Sequence, residues 1–396
     1  MATATTPTPA EAVDWPRVTR EVADDLAVDA SVRDRAGGPP FDEAARLREA
    51  GLPALLTPPA PDGTGDPGAA WRSACATVRE LSAADGSIGE LLAHHCVLAW
   101  SARFLGAPAE PFERRIAEDR WLLAGGIELP EAEAGAGLTA EPGGNGGYLL
   151  RGRRGFDAGV TVADRLVVGA RCTRTGDLLV VLVDPAHPGV CAEPAGDRVG
   201  QRLTGSGTIG FDDVPAGADD VLGAVPRDEH AIAPCTALAP LALRLMLTQV
   251  ALGVAEGALA EARDVSRAAQ AARPSGTDTE DPYLLLAYGE LATAAHTAAA
   301  VVERATDALA RGLGAGAGLD VDGHAGIAVL VAAAEAVTSR SAVHITTRVL
   351  ELTDGAGFDR FWRNARVLTA HTSSARRLRE VGDHYLNGTL PRLPRL

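Results

Sequence analysis

Nine histidines, five cysteines and 37 arginines are the residues of this 396-residue chain whose types could carry chemistry, and lysine is absent altogether. Without lysine there is no Schiff base with a carbonyl substrate, no pyridoxal phosphate attachment and no P-loop lysine. Anionic groups must be held by arginine, backbone N–H groups or hydroxyls. His94 and His95 are adjacent. On a helix they point about 100° apart, so they do not chelate one ion together, and no His-Glu-x-x-His spacing occurs. No metal centre is therefore predicted.

Two glycine-rich strings imitate known loops and fail on context. Gly312 to Gly318 follows a helical pattern, whereas a dinucleotide loop must follow a strand. Thr204-Gly-Ser-Gly-Thr208 lacks the order of the Gly-x-Ser-x-Gly elbow. The five cysteines are scattered and odd in number, which predicts reduced thiols and a cytoplasmic setting. A net charge of −15 argues against nucleic acid or an anionic membrane as partner. No secretory leader is read, and no apolar run long enough to cross a bilayer.

The elements that must position these residues fall into three blocks. Residues 1–8 are Thr/Pro/Ala-rich and are expected to be disordered. Helical spacing fills 9–119, with helices expected over Glu11 to Ala27, Phe41 to Ala50, Gly68 to Ser82 and Ser87 to Leu105. Short apolar runs punctuated by Gly, Pro and Asp fill 120–223 and predict a β-barrel or sandwich, with strands at Trp121 to Ile127, Tyr148 to Arg153, Arg165 to Arg171, Leu178 to Val183 and Thr208 to Phe211. Block 224–396 returns to helix: Leu241 to Ala272, Asp281 to Arg311, Ile327 to Leu352 and Asp359 to Leu386 predict a four-helix bundle. Asp281-Pro282 reads as a helix start, a capping carboxylate with Pro at the first helical position. The fold class expected is α+β.

Local strings carry a resemblance. They are Gly200-Gln-Arg-Leu-Thr-Gly-Ser-Gly-Thr208 with Phe211-Asp-Asp-Val214, Asp281-Pro-Tyr283 with Tyr288-Gly-Glu-Leu291, Phe358-Asp-Arg-Phe-Trp-Arg-Asn-Ala-Arg366, and Leu378 to Gly388. Over roughly Phe41 to Gly388 the chain resembles the acyl-CoA dehydrogenase fold. Within it, the chain resembles the group D flavin-dependent monooxygenases, the group of the dibenzothiophene monooxygenases and amino-sugar nitrososynthases.

That resemblance implies a two-component enzyme. It takes reduced FMN from a separate flavin reductase and oxygenates a small molecule at nitrogen, sulfur or activated carbon, with FAD as the alternative cofactor and a homotetramer as the assembly. His95 and His371 match the positions proposed to act in catalysis. Thr204 and Ser206 could offer donors to the flavin, and Arg273, before Pro274, falls where the family holds flavin phosphate. A dehydrogenase needs a carboxylate base on the late bundle helix, but Thr372 stands at that place and neither Asp nor Glu occurs between Arg360 and Arg379. Two other readings stay open: an acyl-CoA dehydrogenase-like FAD oxidoreductase with a relocated base, and a catalytically silent homologue. The chain departs from the family at Ala99, Ala158 and Leu368, where relatives carry polar groups. Trp100 and Phe104 either line an apolar pocket or pack in the core.

Overall fold

The structure, a computed structural model, describes residues 13–57, 66–127, 137–272, 281–353, 357–370 and 374–391. The expected disorder of residues 1–8 lies outside that set. Seven helices open the chain: α1 (Trp15–Ala27), α2 (Ala30–Ala36), α3 (Phe41–Glu49), α4 (Pro67–Ala84), α5 (Gly86–Ala99), α6 (Ser101–Phe104) and α7 (Glu110–Asp119). Strands follow: β1 (Leu123–Gly126), β2 (Thr139–Pro142), β3 (Tyr148–Phe156), β4 (Arg165–Cys172), β5 (Leu178–Val183), β6 (Val190–Pro194), β7 (Gly207–Ala216) and β8 (Val221–Val225). Helices α8 (Leu238–Ala271), α9 (Pro282–Ala315), α10 (Val321–Leu352), α11 (Asp359–Ala370) and α12 (Ser374–Asn387) complete it.

The central block is one sheet ordered β6-β7-β3-β2-β4-β5-β8. Strand β1 lies beside β4 in parallel, Leu123 opposite Arg165, on the same edge that β2 uses further along. At that pairing Gly125 has φ 129°, and a Cβ there would stand 2.0 Å from the Val167 carbonyl oxygen. Only glycine lets the two backbones approach so closely.

Helix α5 packs against α4, α8 and β1. Each of its fourteen residues is buried, because its sequence is apolar on nearly all sides and no face can be left to water. Asp85 starts it, accepting from the Ser87 and Ile88 amides at 3.0 and 3.3 Å while pairing with Arg33 at 2.9 Å. That arrangement both caps the helix and compensates a buried charge. On the bundle side α4 crosses α8 at very short range. A Cβ on Gly257 would lie 2.1 Å from the Ala83 carbonyl oxygen.

The expected start of α9 holds: Asp281 accepts from the Tyr283 and Leu284 amides at 3.0 and 3.2 Å, with Pro282 in the first turn. The fourth bundle segment is helical over Asp359–Ala370 and Ser374–Asn387, and residues 371–373 between α11 and α12 lie outside the described set. The expectation of no apolar run long enough to cross a bilayer needs correction: α8, α9 and α10 are each long and apolar enough to do so by length and composition. Alanine-rich helices keep a high mean hydropathy even when single charges interrupt them. In the bundle the most apolar window is 83% buried in α8 and 56% in α10, but only 33% in α9.

Candidate active site

A cavity of about 90 Å3 opens where α5, the ends of β1 and β3 and the first turns of α8 meet. Val97, Leu98, Ile127, Phe156 and Leu243 give it apolar walls, and Gly125 and Gly126 supply bare backbone. Its polar lining is His94, Arg154 and Asp157. Complete cofactor sites run roughly 300–1,000 Å3, so this cavity by itself is smaller than a whole cofactor site. Residues 128–136, which continue the chain from this wall, lie outside the described set.

His95 is not one of the lining residues. It is 1% exposed, and both ring nitrogens are spent on backbone: Nδ1 accepts the Leu123 amide at 3.1 Å, and Nε2 donates to the Pro53 carbonyl at 3.0 Å. Burial holds its pKa down to about 4, so the ring is neutral, with its proton on Nε2. The expectation that His95 acts on a ligand therefore gives way to a structural role, pinning α5 to β1 and to the loop before α4. The neighbouring His94 lines the cavity instead.

One turn before His94 stands Glu90, with its Oε1 3.9 Å from His94 Nε2. Both side chains are buried, and the buried atoms Glu90 Oε2 and His94 Nε2 have no hydrogen-bond partner. Burial, and then the nearby charge of Asp157, push the Glu90 carboxyl up to about 8; Arg198 acts in the opposite direction. Glu90 is not among the residues singled out from the sequence. The signal was there for Glu90, since it is the one carboxylate within α5 and sits four residues before a histidine.

Thr204 is also corrected. Its hydroxyl donates to the Gln201 carbonyl at 3.2 Å and accepts from Arg198 Nη1 at 3.2 Å, and the residue is 1% exposed. The side chain closes its own turn and is not free for a flavin. Ser206 lines a different cleft, of about 340 Å3, together with Gly37, Thr161, Arg198 and Arg202. Arg198 links the two clefts, because the same Nη1 also reaches the Asp157 carbonyl, at 3.4 Å. Arg273 and His371 lie outside the described residues. Trp100 and Phe104 pack edge to face in the core, with Trp100 Nε1 donating to the Leu56 carbonyl at 3.0 Å. Among the described residues no three His, Cys, Asp or Glu side chains gather as metal ligands.

Two of the strings behind the resemblance meet in space. Gly200 to Thr204 docks on the start of α11: the Gln201 amide donates to Asn364 Oδ1 at 2.7 Å, and Arg363 Nη1 donates to the Val199 carbonyl at 2.8 Å. Arg363 also pairs with Asp34 of α2.

Helices before and after a central sheet, with the site where all three blocks converge, define the acyl-CoA dehydrogenase fold. A family model described as acyl-CoA dehydrogenase, C-terminal domain, matches residues 245–376. The chain is 32% identical to a dibenzothiophene monooxygenase of Rhodococcus qingshengii, over 94% of this chain and 93% of that one. It is 29% identical to a probable FMNH2-dependent monooxygenase, SfnC, of Pseudomonas putida, over 94% and 95% of the two chains. Among solved structures, FMN-bound TdsC from Paenibacillus sp. A11-2 superposes with a TM-score of 0.85 at 30% identity, covering 96% of this chain and 99% of that one. The chain belongs to the dibenzothiophene monooxygenase family, and it is a flavin-dependent monooxygenase.

Proposed function

We propose that the protein is the oxygenase of a two-component system, taking reduced FMN from a separate reductase and oxygenating a small molecule at nitrogen, sulfur or activated carbon. The observation that carries this reading is the largely apolar cavity whose wall holds His94, while the late bundle carries no carboxylate where a dehydrogenase base would stand: after Asp359, neither Asp nor Glu occurs until Glu380. The residues present suit a flavin in character. Bare backbone at Gly125 and Gly126 and the apolar side chains of Val97, Phe156 and Leu243 make a flat, dry wall, and a buried nitrogen without a partner needs a ligand or a proton.

Reduced FMN supplies the electrons that activate dioxygen. The chain's own residues exclude water, orient the substrate and hold protons. Apolar walls keep bulk water from reacting groups, and His94 offers a neutral imidazole at the wall. Burial holds Glu90 protonated at neutral pH, so it offers a proton to the site. Ser206, Arg198 and Arg202 line the wider cleft and are suited to an anionic group such as the FMN phosphate, as is Arg273. His371 is assigned to catalysis by the family resemblance.

The deciding experiment measures binding of FMN and FAD, oxidised and reduced, followed by turnover with a reductase. One solved TdsC complex contains FMN and indole, so indole and dibenzothiophene are the first substrates to test. Preferential binding of reduced FMN with an oxygenated product supports the reading. Tightly bound FAD that is bleached by an acyl-CoA overturns it. His371→Ala is expected to abolish product or divert oxygen to peroxide.

A cytoplasmic homotetramer completes the proposal. Its support is apolar surface left open on the bundle: Tyr283, Leu285 and Leu286 on α9 and Tyr385 and Leu386 on α12 are all more than half exposed. Light scattering of the purified chain tests the assembly.

A further inference from the structure

The unpaired Glu90 and His94 need an explanation that packing does not give. Buried polar groups in folded chains are nearly always hydrogen-bonded, and one left without a partner costs about 1–3 kcal/mol. Here two stand one helical turn apart, at 5% and 8% exposure, on the helix that forms a cavity wall. Their separation of 3.9 Å is about 1 Å too long for a hydrogen bond. His95, the next residue, shows the opposite pattern, with both nitrogens satisfied. The cluster is bounded by Asp157 and Arg154 at the end of β3 and by Arg198 in the loop before β7, while β1 and α8 present only glycine, alanine and aliphatic side chains to the cavity.

We infer that Glu90 and His94 form a proton relay in the wall of the reaction cavity. His94 gives its Nδ1 proton to the ligand, and Glu90, which must close the 3.9 Å gap to Nε2 as that proton leaves, then positions the ring and replaces the proton through Nε2. In this step the Nδ1–H bond breaks as the ligand gains a proton. The Glu90 O–H bond breaks as Nε2–H forms, so the imidazole stays neutral and the new carboxylate is offset by Arg198. No oxidant or reductant takes part. His94 is the catalytic residue of the pair and Glu90 is a positioning residue. The protonation states agree with this assignment: burial keeps His94 neutral, and Glu90 keeps its proton up to about pH 8.

The relay rests on the reading that this cavity receives reduced FMN and substrate, and the test separates the two. Wild-type chain, Glu90→Gln and His94→Gln are compared in reduced-FMN binding and in the ratio of oxygenated indole to hydrogen peroxide, with reductase present, from about pH 6 to about pH 9. His94→Gln should still consume reduced FMN and oxygen, but with the ratio lowered about 100-fold. In the wild type the ratio should fall above about pH 8, as Glu90 loses its proton. Glu90→Gln should give a low ratio with no such alkaline limb. A second readout needs no flavin: nitrogen NMR of the free chain should show His94 neutral, with its Nε2 signal moved by Glu90→Gln. Unchanged ratios and pH profiles together with an unmoved His94 signal overturn the relay alone. Failure of the wild type to bind reduced FMN overturns the relay and the functional reading together.

Discussion

Gln201 donates its backbone amide to Asn364 Oδ1 at 2.7 Å, and this bond joins the sheet block to the bundle. Gln201 is fully buried in the left-handed region at φ 52°. Its side-chain Nε2 donates to the Gly86 carbonyl at 3.3 Å, and its Oε1 accepts the Ser87 hydroxyl at 3.1 Å. One residue therefore ties the start of α5, the β-domain and α11 together. A non-glycine residue held at positive φ costs about 1–3 kcal/mol and persists only where its surroundings fix it.

Replacing Asn364 by Ala strands the Gln201 amide in the interior. The expected cost is about 1–3 kcal/mol, read as a lower midpoint in urea unfolding. An unchanged midpoint would show that this bond contributes nothing to holding the blocks together.

His95→Ala removes the partner of both the Leu123 amide and the Pro53 carbonyl, and should cost about 2–5 kcal/mol in the same measurement. The pH dependence has a definite sign. The folded pKa, about 4, lies below the ordinary 6.5, so the unfolded chain binds more protons between these values and stability falls as pH drops through that window. The His95 contribution is about 3 kcal/mol once pH is below 4. His95→Gln should flatten that acid limb.

Glu90 acts at the other end of the scale. Its folded pKa, about 8, lies above the ordinary 4.5, so the folded chain holds the extra proton and stability falls as pH rises from 4.5 towards 8. Glu90→Gln, neutral at all pH, should be the more stable chain at pH 8 by a few kcal/mol. Melting temperatures of the two chains across pH test this; parallel profiles would contradict it.

Gly257→Ala places a methyl 2.1 Å from the Ala83 carbonyl oxygen. Helices α4 and α8 must separate to admit it, so a loss of about 1–3 kcal/mol is expected despite alanine's better helix propensity. Thermal unfolding measures it, and a gain in stability would mean the crossing is looser than it stands.

What could be read from the sequence followed the strength of local signals. The long bundle helices, the Asp281-Pro282 cap and the apolar strands β4 and β5 were legible because burial on one or both faces writes a continuous pattern. Strands β2, β6 and β8 were not: β6, Val190–Pro194, is mostly exposed and carries no alternation to find. Helix α2 is seven residues long, too short for periodicity to show. The site was half legible for the same reason. In a helix buried on every side no polar face marks which of two adjacent histidines looks into the cavity, so the choice of His95 over His94 had no physical signal behind it. Thr204 looked available because a sequence does not reveal that its hydroxyl closes the turn containing Gln201.

The burial of α5 on every side also governs how this enzyme can change. A substitution on any face of that helix meets packed neighbours, so an altered side chain there carries a cost in folding along with any gain in selectivity. The tips of β1 and β3 are different: exposed Asp157 offers a position where new side chains can be tried one at a time. New substrate ranges should therefore arise on the sheet side of the cavity, with the helix inherited nearly intact.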